Sequence, residues 1–347
     1  MSSSYPRPTR RPRQPPSAGL LLAVVALLCL VVGLGIGWLL FGRSGSGAQA
    51  TVAATPTATA SPSPVSQVAA TPSPLSADTQ APASSQRLLP PDLAALQSQA
   101  IDLINQSRTA AGLSPVAWDA TAADLAQVHA EDMLDGQFFS HWNRDGYGPD
   151  HRAALVAGMT DAVFENIHSY GRSFDNGQPA PIEGWPQRVL DAHNGLMDSP
   201  GHRRNMLDPA HTQVGIGIAY RPEIGELRLV QEFVNHYVQL DPLPAELPVG
   251  AEVEISGRLL NGAVDPLVNL AYEPFPEPLS VAELAQTSTY QSAAQSFSAP
   301  RTTVDGDRFR TQAILDRNGE TGLYHVWVFV TVDGQEVLSV APIIVAK

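Results

Sequence analysis

Residues Gly19 to Phe41 form one apolar run of 23 residues, relieved only by glycines. A helix of that length measures about 35 Å, enough to cross a hydrocarbon core of ~30 Å. The run exceeds the apolar core of ordinary cleavable leaders. Ala48-Gln-Ala50 offers a small-x-small cleavage sequence as the alternative. Arg7, Arg10, Arg11 and Arg13 precede the run, and such basic flanks stay in the cytoplasm. The expectation is a cytoplasmic tail over 1–18, a transmembrane signal-anchor helix over 19–41, and everything later outside the membrane. The single cysteine, Cys29, lies mid-span, so no disulfide and no cysteine metal site can form within the chain. Stability outside the cell then rests on core size.

Residues 42–91 are rich in Pro, Ser, Thr and Ala and hold no aromatic residue. They cannot bury a core and read as a disordered linker. Charge divides along the same line. No Asp or Glu precedes Asp78; beyond Arg43 lie 16 of the 21 basic residues and all 34 acidic ones, a net charge of −18. That excludes nucleic acid as a partner.

From Asp92 apolar spacing turns helical. Leu93, Leu96, Ala100, Leu103, Ile104 and Ala111 form one stripe, with Gly112 as a cap. A second helix is predicted from about Thr121 to Leu134, with His129 on its buried stripe as a hydrogen-bonded core residue. Asp150 is expected to cap a short helix through Val156. Strands are expected over 163–168, 214–220 and 227–234, and a helix from Trp185-Pro186 with Val189, Leu190, His193, Leu196 and Met197 on one face. The alternation Val214-Gly-Ile-Gly-Ile predicts a strand face closely approached by backbone. Residues 92–240 thus read as an α+β domain. After Pro242 strands dominate: 252–259, 266–272, 308–315, 322–332 and 336–345, with a helical or irregular insertion at 281–294. Residues 241–347 read as a β-sandwich domain.

Eight of the nine histidines fall between His129 and His236. His141, Glu165 and His202 stand out because each sits at a loop or element end, where a scaffold can aim it into a cleft. Two imidazoles and a carboxylate suit a zinc-like divalent metal with an open position, or a base with an orienting acid. His193, Ser199 and Asn166 are secondary candidates: His193 as a further ligand or a core residue, Ser199 as a neighbour of the site, Asn166 as a clamp on backbone groups. No Gly-x-Ser-x-Gly, catalytic cysteine or His-Glu-x-x-His occurs.

Phe138-Phe-Ser-His141, Glu165-Asn-Ile167, Ser199-Pro-Gly-His-Arg-Arg-Asn-Met-Leu207 and Val214-Gly-Ile-Gly217 occur in an order and spacing that resemble the CAP superfamily (cysteine-rich secretory proteins, antigen 5 and pathogenesis-related proteins), in its bacterial branch. The resemblance spans roughly Leu93 to Tyr237. It implies an α-β-α sandwich (SCP-like), with His141 and His202 lining a cleft and Glu165 as the first of two cleft glutamates. Three positions depart from the family pattern: Phe164 stands for a glycine, Leu196 for a tryptophan, and Ser199 falls where a second glutamate would sit. Some members bind a divalent metal in the cleft. Two functions follow as expectations. The first is a membrane-anchored, extracytoplasmic module that binds a lipid, glycan or peptide through a His/Glu cleft, with or without metal. The alternative is a metal-dependent hydrolase acting on extracellular peptide, cell-wall or lipid substrate.

Overall fold

The helix expected from Asp92 is α1 (Leu93–Ala110) of the computed structural model, which describes residue 90 and residues 92–347 apart from 288, 291 and 292. The apolar run 19–41 and all of 42–91 except Pro90 lie outside the described residues. Among the described residues no helix is long and apolar enough to cross a membrane.

Leu96, Ala100 and Ile104 bury the α1 stripe, joined by Arg108 one turn on. Arg108 is fully buried because its guanidinium donates to the carbonyls of Ser114, Met206, Asp208 and His211. It ties α1 to the two segments that flank the later site. Helix α2 (Ala120–Asp135) starts where Asp119 accepts from Ala122 N–H at 2.8 Å.

Four strands make the first sheet, in the order β1-β3-β4-β2: β1 (Ala117–Trp118), β2 (Ala162–Gly171), β3 (Gln213–Arg221) and β4 (Glu226–Asn235). All pairings are antiparallel except β1 with β3. One face packs on α1 and α4 (Trp185–Asp198), through Val214, Ile216, Ile218, Leu229 and Phe233 against Ile104, Val189 and Leu196. Each such side chain contributes about 1.5–3 kcal/mol of burial. The other face packs on α2, and there the middle of β3 offers Gly215, Gly217 and Ala219. A Cβ on Gly215 would lie 2.0 Å from Ala123 N, and one on Gly217 2.2 Å from Ala126 C. The alternation in the sequence is therefore one smooth face against a helix backbone and one bulky face against two helices. Helices cover both faces of the sheet.

The short helix after the aromatic loop is α3 (Pro149–His151), running on into a wider turn over Arg152–Val156. Gly148, and not Asp150, occupies its N-cap position; the Asp150 carboxylate accepts from His151 N–H one residue later. Helix α5 (Pro200–Met206) follows α4 after Ser199.

The remainder is β-rich. With β5 (Val238–Leu240), β6 (Glu246–Leu247) and β10 (Thr302–Asp305), one sheet runs β10-β11-β7-β5 and the other β6-β14-β12-β8-β9, with β13 also on β12. They share a core in which Ile255 of β7 (Glu252–Leu259) and Phe309 of β11 (Arg308–Ile314) face Leu270 of β8 (Val264–Glu273) and Val326 of β12 (Gly322–Val332). The expected strand 336–345 is two strands, β13 (Gln335–Val340) and β14 (Ile343–Ala346). Pro342 has no N–H to continue a ladder; its carbonyl accepts from Val326 N–H while both strands pair with β12. Between β8 and β9 (Gln295–Ser298), α6 (Val281–Leu284) begins on a Ser280–Glu283 capping box.

Candidate functional site

The edge strand β2 organises a pocket of about 330 Å³ lined by His141, Glu165, Asn166, Gly201, His202, Asn205, Thr289 and Tyr290. Each lining side chain has a local cause. Glu165 lies on the α2 face of β2, with Asn166 on the opposite face, so the two diverge around the strand edge. Asn166 Nδ2 donates to His202 O at 3.2 Å, and its Oδ1 accepts from Asn205 Nδ2 at 3.0 Å. That clamp holds the start of α5, and with it His202, against β2. His141 belongs to a loop fixed from behind by Arg152, which donates to His141 O at 2.7 Å and Tyr147 O at 3.1 Å.

The three principal candidates therefore line one pocket, but they hold different positions in it. Glu165 Oε1 is 2.6 Å from His141 Nδ1, and Oε2 accepts from Arg152 at 2.5 Å. Burial alone would raise the Glu165 pKa. The Arg152 guanidinium, with His129 and His141 nearby, holds it well below the ordinary carboxylate range. A fixed anion on Nδ1 sets the ring so that Nε2 faces away from it. Burial, with His141 nearby, lowers the His202 pKa and favours the neutral imidazole.

Behind Glu165 lies a second carboxylate that the motif reading did not single out. Glu232 of β4 is the cross-strand partner of Glu165 and is fully buried. Its oxygens have no hydrogen-bond partner by geometry; the nearest cation is Arg152, 3.8 Å from Oε1. Burial and the charge on Glu165 push its pKa well above the ordinary value, so it holds its proton. Ser199 does not line the pocket. The available signal was an acidic residue at an inward position of the apolar strand 227–234.

His193 is a core residue on α4, with Nε2 2.9 Å from Ser107 Oγ of α1. His129 is buried with Nε2 3.0 Å from Ser140 O, and burial, with Arg152 nearby, lowers its pKa to about 3. Thr289 and Tyr290 come from the β-rich region. Tyr290 Oη accepts from Glu165 N–H at 3.0 Å, and its ring lies 4.7 Å from that of His141. Ser140 Oγ and Thr287 Oγ1 are 2.6 Å apart, and Trp142 Nε1 donates to Thr289 O at 2.9 Å. Thr287, Thr289 and Tyr290 thus stand along the outer edge of β2, and the last two line one wall of the pocket.

Residues 101–238 match the family described as the cysteine-rich secretory protein family, CAP. This domain belongs to the CAP family. The CAP domain is 32% identical over 124 residues to the uncharacterized membrane protein YlbC of Bacillus subtilis, covering 35% of this chain and 31% of that protein. It is 28% identical over 130 residues to the uncharacterized protein YkwD of the same organism, covering 37% and 44%. Among solved structures, an extracellular protein containing a SCP domain from Bacillus anthracis is 26% identical, with a TM-score of 0.34 over 43% of this chain and 44% of that one. The matched region spans less than half the length of these relatives.

The family resemblance implies a divalent metal in some CAP clefts, and the donor set bears on that. Both Glu165 oxygens already accept from His141 and Arg152. Two imidazoles, one backed by a carboxylate, fit a borderline divalent ion whose remaining positions are open. Glu165 fits as the group behind His141 and not as a ligand.

Proposed function

We propose that this chain is an extracytoplasmic, membrane-anchored binding module, with 1–18 inside the cell, 19–41 as the anchor, 42–91 as a spacer, and a CAP domain (92–240) joined to an immunoglobulin-like β-sandwich (241–347). The apolar run and its basic flank support the anchor. So do the names of two relatives, one a membrane protein and one an extracellular protein. The binding reading rests on one observation: His141, backed by ionised Glu165, shares a pocket with His202 and Tyr290. The pocket volume suits a small group and not a whole polymer chain. Its ligand is therefore a headgroup, a sugar or a peptide end.

His141 and His202 are the residues that would hold a divalent ion, and such an ion would polarise a carboxylate or carbonyl of the ligand. Glu165 orients His141 and keeps negative charge behind it. Arg152 holds the loop, Asn166 holds α5, and Tyr290 excludes water from the β2 edge. Among the described residues, no hydroxyl or thiol in the lining is paired with a base as a nucleophile would be, which favours binding over acyl transfer.

Zinc titration of the full chain in detergent, followed by calorimetry, tests this reading. His141→Ala and His202→Ala should each abolish one pocket-dependent binding event. A wild-type isotherm matched by both variants would sink it.

A further inference from the structure

A second His/Glu set lies away from the pocket. Among the described residues, His151, Glu273 and His325 bring three potential ligand atoms within 4.8 Å of one another, and all three residues are buried. They come from α3, the last position of β8 and the middle of β12. The Nε2 atoms of both histidines converge on one oxygen, Glu273 Oε1: His325 at 3.0 Å and His151 in close contact. On the far side of the His151 ring, Asp150 Oδ1 is 3.1 Å from Nδ1, with Gly148 N–H at 3.2 Å. The surroundings are aromatic. Tyr147 stacks on His151 with centroids 5.7 Å apart, Trp142 lies 6.1 Å from it, and Trp327 lies 5.9 Å from His325.

Two chemistries fit such convergence. In one, both imidazoles donate to the carboxylate as a hydrogen-bonded cluster. In the other, both Nε2 lone pairs and the carboxylate point at a cation. Two features favour the second. All three residues are buried, and their ligand atoms lie within 4.8 Å of one another, close enough for one cation to reach all three. Asp150 stands behind His151 as carboxylates stand behind metal-bound histidines, with Oδ1 3.1 Å from Nδ1. Two imidazoles and one carboxylate suit zinc or a similar borderline ion, with water as a fourth ligand.

We propose that His151, Glu273 and His325 form a structural site for a zinc-like divalent cation that fastens the β-rich region to the CAP domain. The position explains its use. His151 is followed directly by Arg152, which holds the His141 loop and Glu165. Glu273 ends β8, the strand that precedes Thr289 and Tyr290 of the pocket. A cation here joins the roots of two pocket walls without entering the pocket. The site uses no residue of the proposed binding pocket, so each can fail without the other.

The test is metal content of the full chain in detergent, stripped with chelator and dialysed against limiting Zn²⁺. Wild type and the His141→Ala/His202→Ala double variant should both retain one zinc through this site, whereas Glu273→Gln and His325→Gln lose it. Zn²⁺ at a hundredfold excess over Kd should raise the wild-type Tm by roughly 5–10 °C, and cobalt in its place should give a tetrahedral visible spectrum in the pocket double variant. These last two readouts hold even where Glu273→Gln or His325→Gln fails to fold. A wild-type chain that retains no zinc and shows no thermal shift overturns the proposal. So does zinc that is lost with His141 and His202 but kept in Glu273→Gln.

Discussion

Glu165→Gln should be partly rescued by its neighbour, and the size of that rescue follows from the distances. Arg152 lies 2.5 Å from Glu165 and 3.8 Å from Glu232, with all three side chains at most 5% exposed. At an effective dielectric of about 20, those separations correspond to roughly 6–7 and roughly 4 kcal/mol of attraction. Removing the Glu165 charge also removes the repulsion that keeps Glu232 protonated. Glu232 should then ionise and take over Arg152, leaving a shortfall of about 2 kcal/mol. With both acids neutral, Arg152 is a buried unpaired charge, worth about 3–5 kcal/mol of destabilisation. Glu232→Gln alone should not destabilise near neutral pH. In the wild type, the unfolded chain releases the Glu232 proton above about pH 4.5 while the fold retains it. Stability therefore falls as pH rises from there towards the folded pKa, and Glu232→Gln removes that slope. Thermal unfolding of the four proteins at several pH values reads all of this. At about 2–4 °C per kcal/mol, Glu165→Gln should lower Tm by roughly 4–8 °C, and the double variant by more than the sum of the single effects. If the double variant unfolds at the same temperature as Glu165→Gln, Glu232 is not the reserve partner and the reasoning fails.

Gly217→Ala should cost about 3 kcal/mol or more, because its Cβ would meet the α2 backbone 2.2 Å away at Ala126 C and no side-chain movement can relieve that; denaturant unfolding measures it. Tyr290→Phe leaves the ring beside His141 but strands the Glu165 N–H. Stability should fall by about 1–3 kcal/mol, while zinc affinity at His141 and His202 stays within about twofold by calorimetry.

The parts legible in the sequence were those set by local periodicity. The stripe from Leu96 to Ile104, the Gly215/Gly217 face and the strand 322–332 all follow from spacing and side-chain size, and the structure places them so. The meeting of His141, Glu165 and His202 was legible because each lies in a distinctive short motif. What escaped was set by distant partners. Tyr290 reaches Glu165 across 125 residues from a segment with no repeating pattern. Arg108 continues the α1 stripe but is kept inside by four carbonyls, three of them about 100 residues away. Glu232 looked like an ordinary strand residue until its register opposite Glu165 was known.

The wall supplied by Tyr290 also has a consequence for the order of events during synthesis. His141, Glu165 and His202 are all made well before residue 290, and strand β12, which holds the sheet that carries this wall, is made later still. A growing chain therefore presents its imidazoles first in an open trough with a bare strand edge. It acquires the last wall of the pocket only once β12 has been made. The complete lining is thereby a property of the later chain, and a chain stopped after the CAP domain would carry all three motif residues yet lack the Tyr290 wall.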